Sequence, residues 1–204
     1  MIPRMNNMRK QKREEESLTS SVLQYLHDMI YMLAIIMVVF LLFFRMVVVS
    51  GPSMFSTLWD GDWLLVLSNT FYQEPQKGDI IIASKQSYNA GEPIVKRVIA
   101  TEGQKVDIDF EAGIVYVNDV ALEEDYTYTM TNVDEGMAFP LIVSEGCVFA
   151  MGDNRNRSRD SRYPDIGLID KREILGKAVF LIYPGVGEEP YGGPRDYDRI
   201  GVLK

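Results

Sequence analysis

The feature that most constrains this fold is a long apolar run near the N-terminus. From Met29 to Phe44 the chain has sixteen residues without a charge, and after Arg45 the run continues to Val49. A helix over residues 29–49 would be roughly 30 Å long, which matches the hydrocarbon thickness of a membrane. The long side chain of Arg45 can reach the headgroups. Because no polar face interrupts the run, it predicts a transmembrane helix over residues 29–49, with a buried core helix as the alternative.

Basic residues before this run predict its orientation. Five of them lie within the first thirteen residues: Arg4, Arg9, Lys10, Lys12 and Arg13. A flank rich in lysine and arginine normally stays in the cytoplasm, so residues 1–28 are expected to be cytoplasmic and residues 50–204 extracytoplasmic. The charged residues 1–16 have the composition of a disordered segment. A cleaved secretory signal is the alternative, but the basic region is far from the run and no small-residue cleavage site follows.

Beyond residue 50 the hydrophobic pattern becomes that of short strands rich in Val, Ile and aromatic residues. Gly, Asp, Asn or Pro bound these segments, and no helical pattern of ten residues separates them. We therefore predict a mainly β fold, a curled antiparallel β-sheet domain preceded by a single transmembrane α-helix. Residues 107–145 are more polar and could form a smaller, non-catalytic lobe. The predicted strands are 61–68, 78–85, 94–106, 113–119, 146–153 and 174–184.

The composition excludes several classes of site. The chain contains one histidine, His27, and one cysteine, Cys147. Zinc sites of the Cys/His type, a disulfide framework and a Cys-x-x-Cys redox pair are therefore excluded, and we expect no metal and no cofactor. The net charge of −8 disfavours binding to nucleic acid. Since His27 lies beside the apolar run, the β domain has no histidine that could act as a catalytic base.

Two polar residues in this domain could together carry a serine mechanism. Ser53 lies in a Gly-Pro-Ser turn directly after the apolar run, and Lys96 lies inside an otherwise apolar strand. A serine nucleophile needs a base, and without a histidine a neutral lysine could take the proton directly. Burial can lower the pKa of a lysine by several units from about 10.4. The alternatives are an ordinary turn serine and an edge-strand lysine that discourages aggregation.

A third polar segment, residues 151–167, has four arginines and three aspartates and follows an apolar strand directly. Within it, Asp160 and Arg162 are two residues apart, a spacing that suits an ion pair in a fixed loop. A solvated charged loop is the alternative interpretation, since most such runs are exposed.

These segments occur in an order that resembles the bacterial type I signal peptidases, in particular their single-span Gram-positive-type members. The resemblance covers roughly residues 29–184. It is carried by SGPSM-x-STL, the strand GDIII, then VKRVIATEGQ, and finally MGDNRNRSRDSRY, which is the most specific of the four.

The resemblance implies roles for individual residues. Ser53 would be the nucleophile, with Met54 as its apolar neighbour, and Lys96 the general base, followed by the basic Arg97. Three supporting elements are also matched: the hydroxyl of Ser158, which hydrogen-bonds the lysine in the family, the ion pair of Asp160 with Arg162, and the Gly152–Asn154 turn.

The chain departs from the family pattern at two positions. Ser56 replaces the proline that usually follows the nucleophile by three residues, which should loosen the turn. Gly51 stands where some members have a serine that contributes to the oxyanion hole, so the hole would depend mainly on the backbone N–H of Ser53.

By resemblance, the chain is expected to be a membrane-bound serine endopeptidase that cleaves signal peptides from exported preproteins. Burial and the neighbouring Arg97 would lower the pKa of Lys96. The expected partners are preproteins and the lipid bilayer, with no nucleic acid, and the expected state is a monomer. Two alternatives are a specialised Ser-Lys processing peptidase with another substrate, and an anchored β domain that binds a partner without catalysis.

Overall fold

A long N-terminal helix, α1 (Ile2–Phe43), precedes the β strands. The computed structural model describes residues 2–187 and 190–203, with side chains from residue 21 onward. Residues 21–43 of α1 are long and apolar enough to cross a membrane, and none of their most apolar window is buried within the protein. The alternative of a buried core helix is therefore wrong. Helix α1, up to residue 42, and the residues from 43 onward form two separate compact units.

The helix differs from the sequence prediction at both ends. It includes residues 2–16, for which disorder was predicted; these residues are mostly Arg, Lys, Glu, Gln, Met and Asn, and all but Asn rank high in helix propensity. It ends at Phe43, whereas the predicted span continued to Val49. The next residues form a strand because Met46 and the β-branched valines after it pair antiparallel with the segment around Leu65.

The remaining chain is built from twelve strands over the described residues. In chain order they are β1 (Phe44–Val48), β2 (Trp63–Ser68), β3 (Ile80–Ser84), β4 (Pro93–Thr101), β5 (Lys105–Asp109), β6 (Ile114–Val117), β7 (Val120–Ala121), β8 (Leu141–Ile142), β9 (Cys147–Met151), β10 (Ile169–Asp170), β11 (Ile174–Tyr183) and β12 (Gly201–Val202).

These strands form two antiparallel sheets. The larger has the order β1-β2-β11-β3-β4-β9-β10, with β12 paired to β11, and the smaller has the order β7-β6-β5-β8. The prediction of a mainly antiparallel β fold after one apolar helix is thus confirmed. The predicted strand 94–106 is divided into β4 and β5 because Gly103 turns the chain with a φ of 77°, in the left-handed region.

Three apolar clusters hold the sheets together. One includes Met54, Leu58 and residues of β2, β3 and β11, so it lies beneath the loop that follows β1. A second joins β4 and β9 to the smaller sheet and includes Phe149 and Met151. The third includes Ile81 and other residues of β3, β4 and β9 that do not belong to the first two clusters. Because β4 contributes to the second and third clusters, every residue from 96 to 100 is buried. These buried residues include Lys96 and Arg97.

The C-terminal tail is fastened to the end of the β1–β2 loop by one buried carboxylate. Asp62 is fully buried and accepts bonds from the guanidinium of Arg199 at 2.7 and 3.0 Å. It also accepts hydrogen bonds from the backbone amides of Trp59 and Gly185, at 2.7 Å each. A side chain at Gly185 would meet the carbonyl oxygen of Asp60 at 2.0 Å, so glycine is required for this close approach.

We expect Asp62→Ala to destabilise the β domain, because it leaves a half-buried guanidinium and two amides without their acceptor. Removing one partner of a buried ion pair costs about 3 kcal/mol or more, which corresponds to a fall in melting temperature of about 6–12 °C. Thermal unfolding of the detergent-solubilised protein measures this change.

The matched control is Glu74→Ala, which removes an exposed carboxylate bound to Lys171. Exposed pairs contribute about 1 kcal/mol or less, so this variant should melt within a few degrees of the wild type. Equal melting temperatures for Asp62→Ala and the wild type would contradict the proposed anchoring of the tail.

Candidate active site

Ser53 lies in a loop between β1 and β2 that the backbone closes at its base. The amide of Val49 donates to the carbonyl of Asp62 at 2.8 Å, and the amide of Gly61 donates back to the carbonyl of Val49 at 2.9 Å. Within the loop, the Gly51 amide donates to the carboxylate of Asp60 at 2.6 Å. Residues 50–60 are therefore held as one closed unit.

Two apolar side chains fix this loop to the core. Met54 and Leu58 are fully buried in the cluster beneath it, and the Leu58 amide donates to the Met54 carbonyl at 2.9 Å. Met54 thus directs its side chain into the core, while the adjacent Ser53 remains half-buried at the surface of a groove.

Lys96 reaches Ser53 from β4. Its Nζ lies 3.0 Å from the Oγ of Ser53 and donates to the carbonyl of Val95 at 2.8 Å. Only 3% of the lysine is exposed. Burial disfavours the ammonium and lowers the pKa of Lys96 to about 8, although the carboxylates of Asp160 and Asp153 act in the opposite direction. A buried amine with a lowered pKa therefore lies within hydrogen-bond distance of the serine hydroxyl.

Arg97, on the opposite side of β4, is occupied by a carboxylate. Its Nε and Nη2 bind the two carboxylate oxygens of Asp153 at 2.9 and 2.7 Å, and both side chains are buried. Nη1 donates to the Gly78 carbonyl at 3.0 Å. The cation that lowers the pKa of Lys96 is Arg162, not the neighbouring Arg97 as the sequence suggested.

The hydroxyl of Thr57 also binds this pair. It donates to the second carboxylate oxygen of Asp153 at 2.6 Å, which connects the Ser53 loop to the loop that follows β9. Thr57 was not among the residues predicted from the sequence, and Asp153 was expected only as a turn residue. A buried arginine in an apolar strand signals that a carboxylate partner must exist, but not which one.

Asp160 and Arg162 form a second ion pair, which is completely buried. Two bonds of 2.9 Å join the carboxylate to Nε and Nη2 of Arg162, and the amide of Gly152 donates to the same carboxylate at 3.0 Å. Burial alone would raise the pKa of Asp160, but Arg162 and the amide hold it below its ordinary value. The alternative of a solvated charged loop is therefore wrong for these residues. We call residues 152–162 the arginine loop.

The arginine loop also binds the backbone on either side of the serine. The amide of Asn154 donates to the carbonyl of Ser53 at 3.0 Å, and its side-chain nitrogen donates to the carbonyl of Pro52 at 3.1 Å. These bonds fix the orientation of the peptide groups on both sides of Ser53.

Ser158 lies close to the Ser53 loop, but the bond to Lys96 implied by the resemblance is not formed. Its hydroxyl is buried and has no hydrogen-bond partner within the described part of the chain, because the Nζ of Lys96 is directed to Ser53 and to the Val95 carbonyl. A Cβ on Gly152 would lie 2.2 Å from the Ser158 Oγ and 2.4 Å from the Ser53 carbonyl oxygen. The glycine is therefore needed for Ser158 to approach the serine loop.

A groove of about 700 Å³ opens over the Ser53 and Lys96 side chains. One wall is formed by residues 47–52 and the other by residues 92–95, with Tyr88, Arg157 and Arg159 at its border. Ser53 and Lys96 are thus both accessible from this groove.

Comparison with known proteins places this arrangement in a family. Residues 22–183 match the family model described as "Signal peptidase, peptidase S26". The chain is 36% identical to a probable signal peptidase I-1 of Synechocystis, over 67% of this chain and 69% of the relative. It is 32% identical to a signal peptidase I of Bacillus licheniformis, over 81% of this chain and 90% of the relative.

Two further proteins extend the comparison. Thylakoidal processing peptidase 1 of Arabidopsis thaliana is 32% identical over 67% of this chain, which corresponds to 41% of its own length. A solved structure of a signal peptidase I from Enterococcus faecalis is 32% identical and covers 51% of this chain and 96% of the solved one, with a TM-score of 0.41. From the family match and the sequence identities, this chain belongs to the signal peptidase family, peptidase S26.

Proposed function

We propose that this protein is a membrane-anchored serine endopeptidase that removes signal peptides from exported preproteins, with Ser53 as nucleophile and Lys96 as general base. The observation that carries the proposal is the 3.0 Å separation of the Lys96 Nζ from the Ser53 Oγ in a buried environment. With a pKa of about 8, a useful fraction of the lysine is neutral near physiological pH. The histidine that would otherwise serve is absent from this domain.

The proposed reaction uses Lys96 first as a base and then as an acid in each of two steps. As the Ser53 Oγ attacks the scissile carbonyl carbon, neutral Lys96 takes the hydroxyl proton. When the C–N bond breaks, the Lys96 ammonium returns that proton to the leaving amine, and an ester joins the signal peptide to Ser53. Lys96 then removes a proton from water as the water attacks the ester, and finally protonates the Ser53 oxygen as the second bond breaks.

The negative oxygen of each tetrahedral intermediate needs a hydrogen-bond donor. The amide of Ser53 donates no hydrogen bond within the described part of the chain, so it is available for this oxygen. Asn154 holds the neighbouring carbonyls of Pro52 and Ser53 and so keeps that amide oriented before substrate binds. Gly51 contributes no hydroxyl, and the Ser53 amide is therefore the main donor in this proposal.

The groove suits an extended peptide. Strand β1 is at the end of its sheet, and β4 pairs with β9 only from Arg97 onward. On that side, the backbone of residues 93–96 has no strand neighbour among the residues that the structure describes. A peptide inserted between β1 and this part of β4 could hydrogen-bond to one or both by strand addition. The apolar side chains in the walls favour small, uncharged residues on the substrate before the cleaved bond.

The apolar part of α1 serves as the anchor in this proposal. The basic N-terminal flank would stay in the cytoplasm and the β domain would lie on the other side. Only nine residues lie between Phe43 and Ser53 in the chain, which tethers the nucleophile near the bilayer that holds the substrate's apolar segment. One chain supplies both Ser53 and Lys96, so a monomer is sufficient.

A specialised processing peptidase is the second candidate, since thylakoidal processing peptidases are among the relatives of this chain. The chemistry would be the same and the substrate different. Mass analysis of the products from a panel of preproteins distinguishes the two, because it identifies both the accepted substrates and the cleaved bonds.

The dyad can be tested by removing each partner. We expect Ser53→Ala and Lys96→Ala each to lower kcat on a preprotein by at least about 10⁴-fold, with the double variant little worse than either, because the two residues act as one unit. Single-turnover assays of detergent-solubilised protein measure this.

The matched control is Ser56→Ala, which removes an exposed hydroxyl from the same loop and should retain most activity. Substantial cleavage by Ser53→Ala would contradict the dyad. A biological activity unchanged in that variant would instead favour a non-enzymatic anchored domain.

The pH dependence should report Lys96. Only its neutral form can accept the serine proton, so kcat/KM should rise with pH and level off above about 8, where the lysine is deprotonated. A rate profile recorded from pH 5 to 10 on a neutral substrate tests this. An acid limb centred near pH 10.4, or no limb at all, would contradict the assignment of Lys96 as the base.

Ser158 should support the amine during turnover. A protonated Lys96 has three N–H donors, and its two observed bonds leave one for the buried, unpaired Ser158 hydroxyl. We expect Ser158→Ala to lower kcat by about 10²-fold, with little change in substrate binding. The control is Ser87→Ala, which removes an exposed hydroxyl outside the groove. Equal kcat for Ser158→Ala and the wild type would remove Ser158 from the mechanism.

A further inference from the structure

The segment between β7 and β8 crosses to the larger sheet and contacts the arginine loop repeatedly. We call residues 122–133 the strap. The Tyr128 amide donates to the carbonyl of Asp153 at 3.0 Å, the Asn132 amide donates to the side chain of Asn156 at 3.2 Å, and the Val133 carbonyl accepts from Arg162 at 3.2 Å. The sequence predicted only that this more polar region could form a smaller, non-catalytic lobe.

Tyr126 is the residue of the strap that reaches the buried ion pair behind Lys96. The Cζ of Arg97 lies 4.1 Å from the centre of its ring, within the range of a favourable cation–π contact. The edge of the same guanidinium is held by Asp153. Arg97 is thus fixed in its plane by a carboxylate and on one face by an aromatic ring.

Glu124 holds both this tyrosine and the arginine loop. Its carboxylate accepts from the Tyr126 hydroxyl at 2.9 Å and pairs with both terminal nitrogens of the buried Arg155, one of them at 2.8 Å. Arg155 also donates to the Thr131 hydroxyl at 2.8 Å and to the Gly152 carbonyl at 3.1 Å. Through Arg155, the Glu124 carboxylate therefore connects the Tyr126 ring with Gly152, which packs against Ser53 and Ser158.

We propose that Tyr126 is a positioning residue for the Ser53–Lys96 dyad, acting through Arg97 and Asp153, and that Glu124 holds Tyr126 in the required orientation. This inference rests on the proposed function. It assigns the smaller sheet a task in catalysis: the strap keeps the arginine loop closed on the site from the side that faces away from the groove.

The charges around Lys96 define what the loss of Tyr126 should do. Lys96 is faced by Asp153, Asp160 and Arg162 from the arginine loop, and both carboxylates favour its protonated form. If Arg97 loosens, Asp153 is less well neutralised and water gains access to the amine. Both changes raise the pKa of Lys96, so the acid limb of the rate profile should move to higher pH. The Tyr126 hydroxyl does not titrate in this range, since burial and then Glu124 raise its pKa.

The test compares Tyr126→Leu, Tyr126→Ala and Tyr126→Phe on a preprotein. The Leu and Ala variants lose the ring over Arg97, and we expect kcat to fall about 10-fold or more with KM nearly unchanged, because a small displacement of a catalytic group is costly. The acid limb of kcat/KM should shift upward in both. Tyr126→Phe keeps the ring and should stay within about threefold of the wild type.

The matched control is Tyr116→Ala, which truncates a half-buried tyrosine of the same small sheet, on β6. It should leave kcat and the pH profile of the folded enzyme unchanged, even if the melting temperature falls. Wild-type kcat and pH profile in both Tyr126→Leu and Tyr126→Ala would overturn the proposal. The proposal would also be overturned if kcat of these variants fell only in proportion to their folded fraction and the acid limb of kcat/KM stayed at the wild-type pH.

A readout without substrate separates this inference from the proposed function. The ¹³Cε resonance of Lys96, assigned with Lys96→Ala, gives its pKa directly in the wild type and in Tyr126→Leu. A higher lysine pKa in the variant supports the positioning role even if no preprotein is cleaved, and an unchanged pKa overturns it. A wild-type protein that cleaves no preprotein contradicts only the proposed function.

Discussion

The site depends on the need of buried guanidinium groups for carboxylate partners. Taking a charge out of water is costly unless it is paired and fully hydrogen-bonded, so each buried arginine fixes a partner from elsewhere in the chain. The three pairs are Arg97 with Asp153, Arg155 with Glu124, and Arg162 with Asp160. Together they tie β4, the strap and the arginine loop to one another, and Asn154 extends the connection to the Ser53 loop.

Lys96 differs from these arginines because no carboxylate of the described residues lies within hydrogen-bond reach of it. Its ammonium has a serine hydroxyl and a backbone carbonyl as partners, and neither carries a charge that compensates for burial. Asp153 and Asp160 are near enough to act through space, but each is bound to its own arginine. The ion pairs therefore do two things at once: they build a rigid wall, and they leave the lysine as the group that can give up its proton.

Much of the fold could be predicted from local sequence, and the parts that could not share a physical cause. Alternating apolar residues predict strands such as β2 and β11, and a two-residue spacing suggests the pairing of Asp160 with Arg162. The pairing of Arg97 with a residue 56 positions away depends on the completed sheet and leaves no local pattern. The end of α1 at Phe43 was missed for a similar reason, since the valines after it are apolar in either a helix or a strand.

The buried lysine also links folding to the uptake of protons. In the unfolded chain the pKa of Lys96 returns to about 10.5, whereas in the folded protein it is about 8. Between these values the unfolded state binds more protons at this side chain, so its contribution makes the fold more stable as pH rises from about 8 to 10.5. Below pH 8 both states carry the charge, and the full cost of burying it weakens the fold. Unfolding thus takes up a proton at mildly alkaline pH, and the neutral lysine that the proposed mechanism requires is also the form that the folded domain favours.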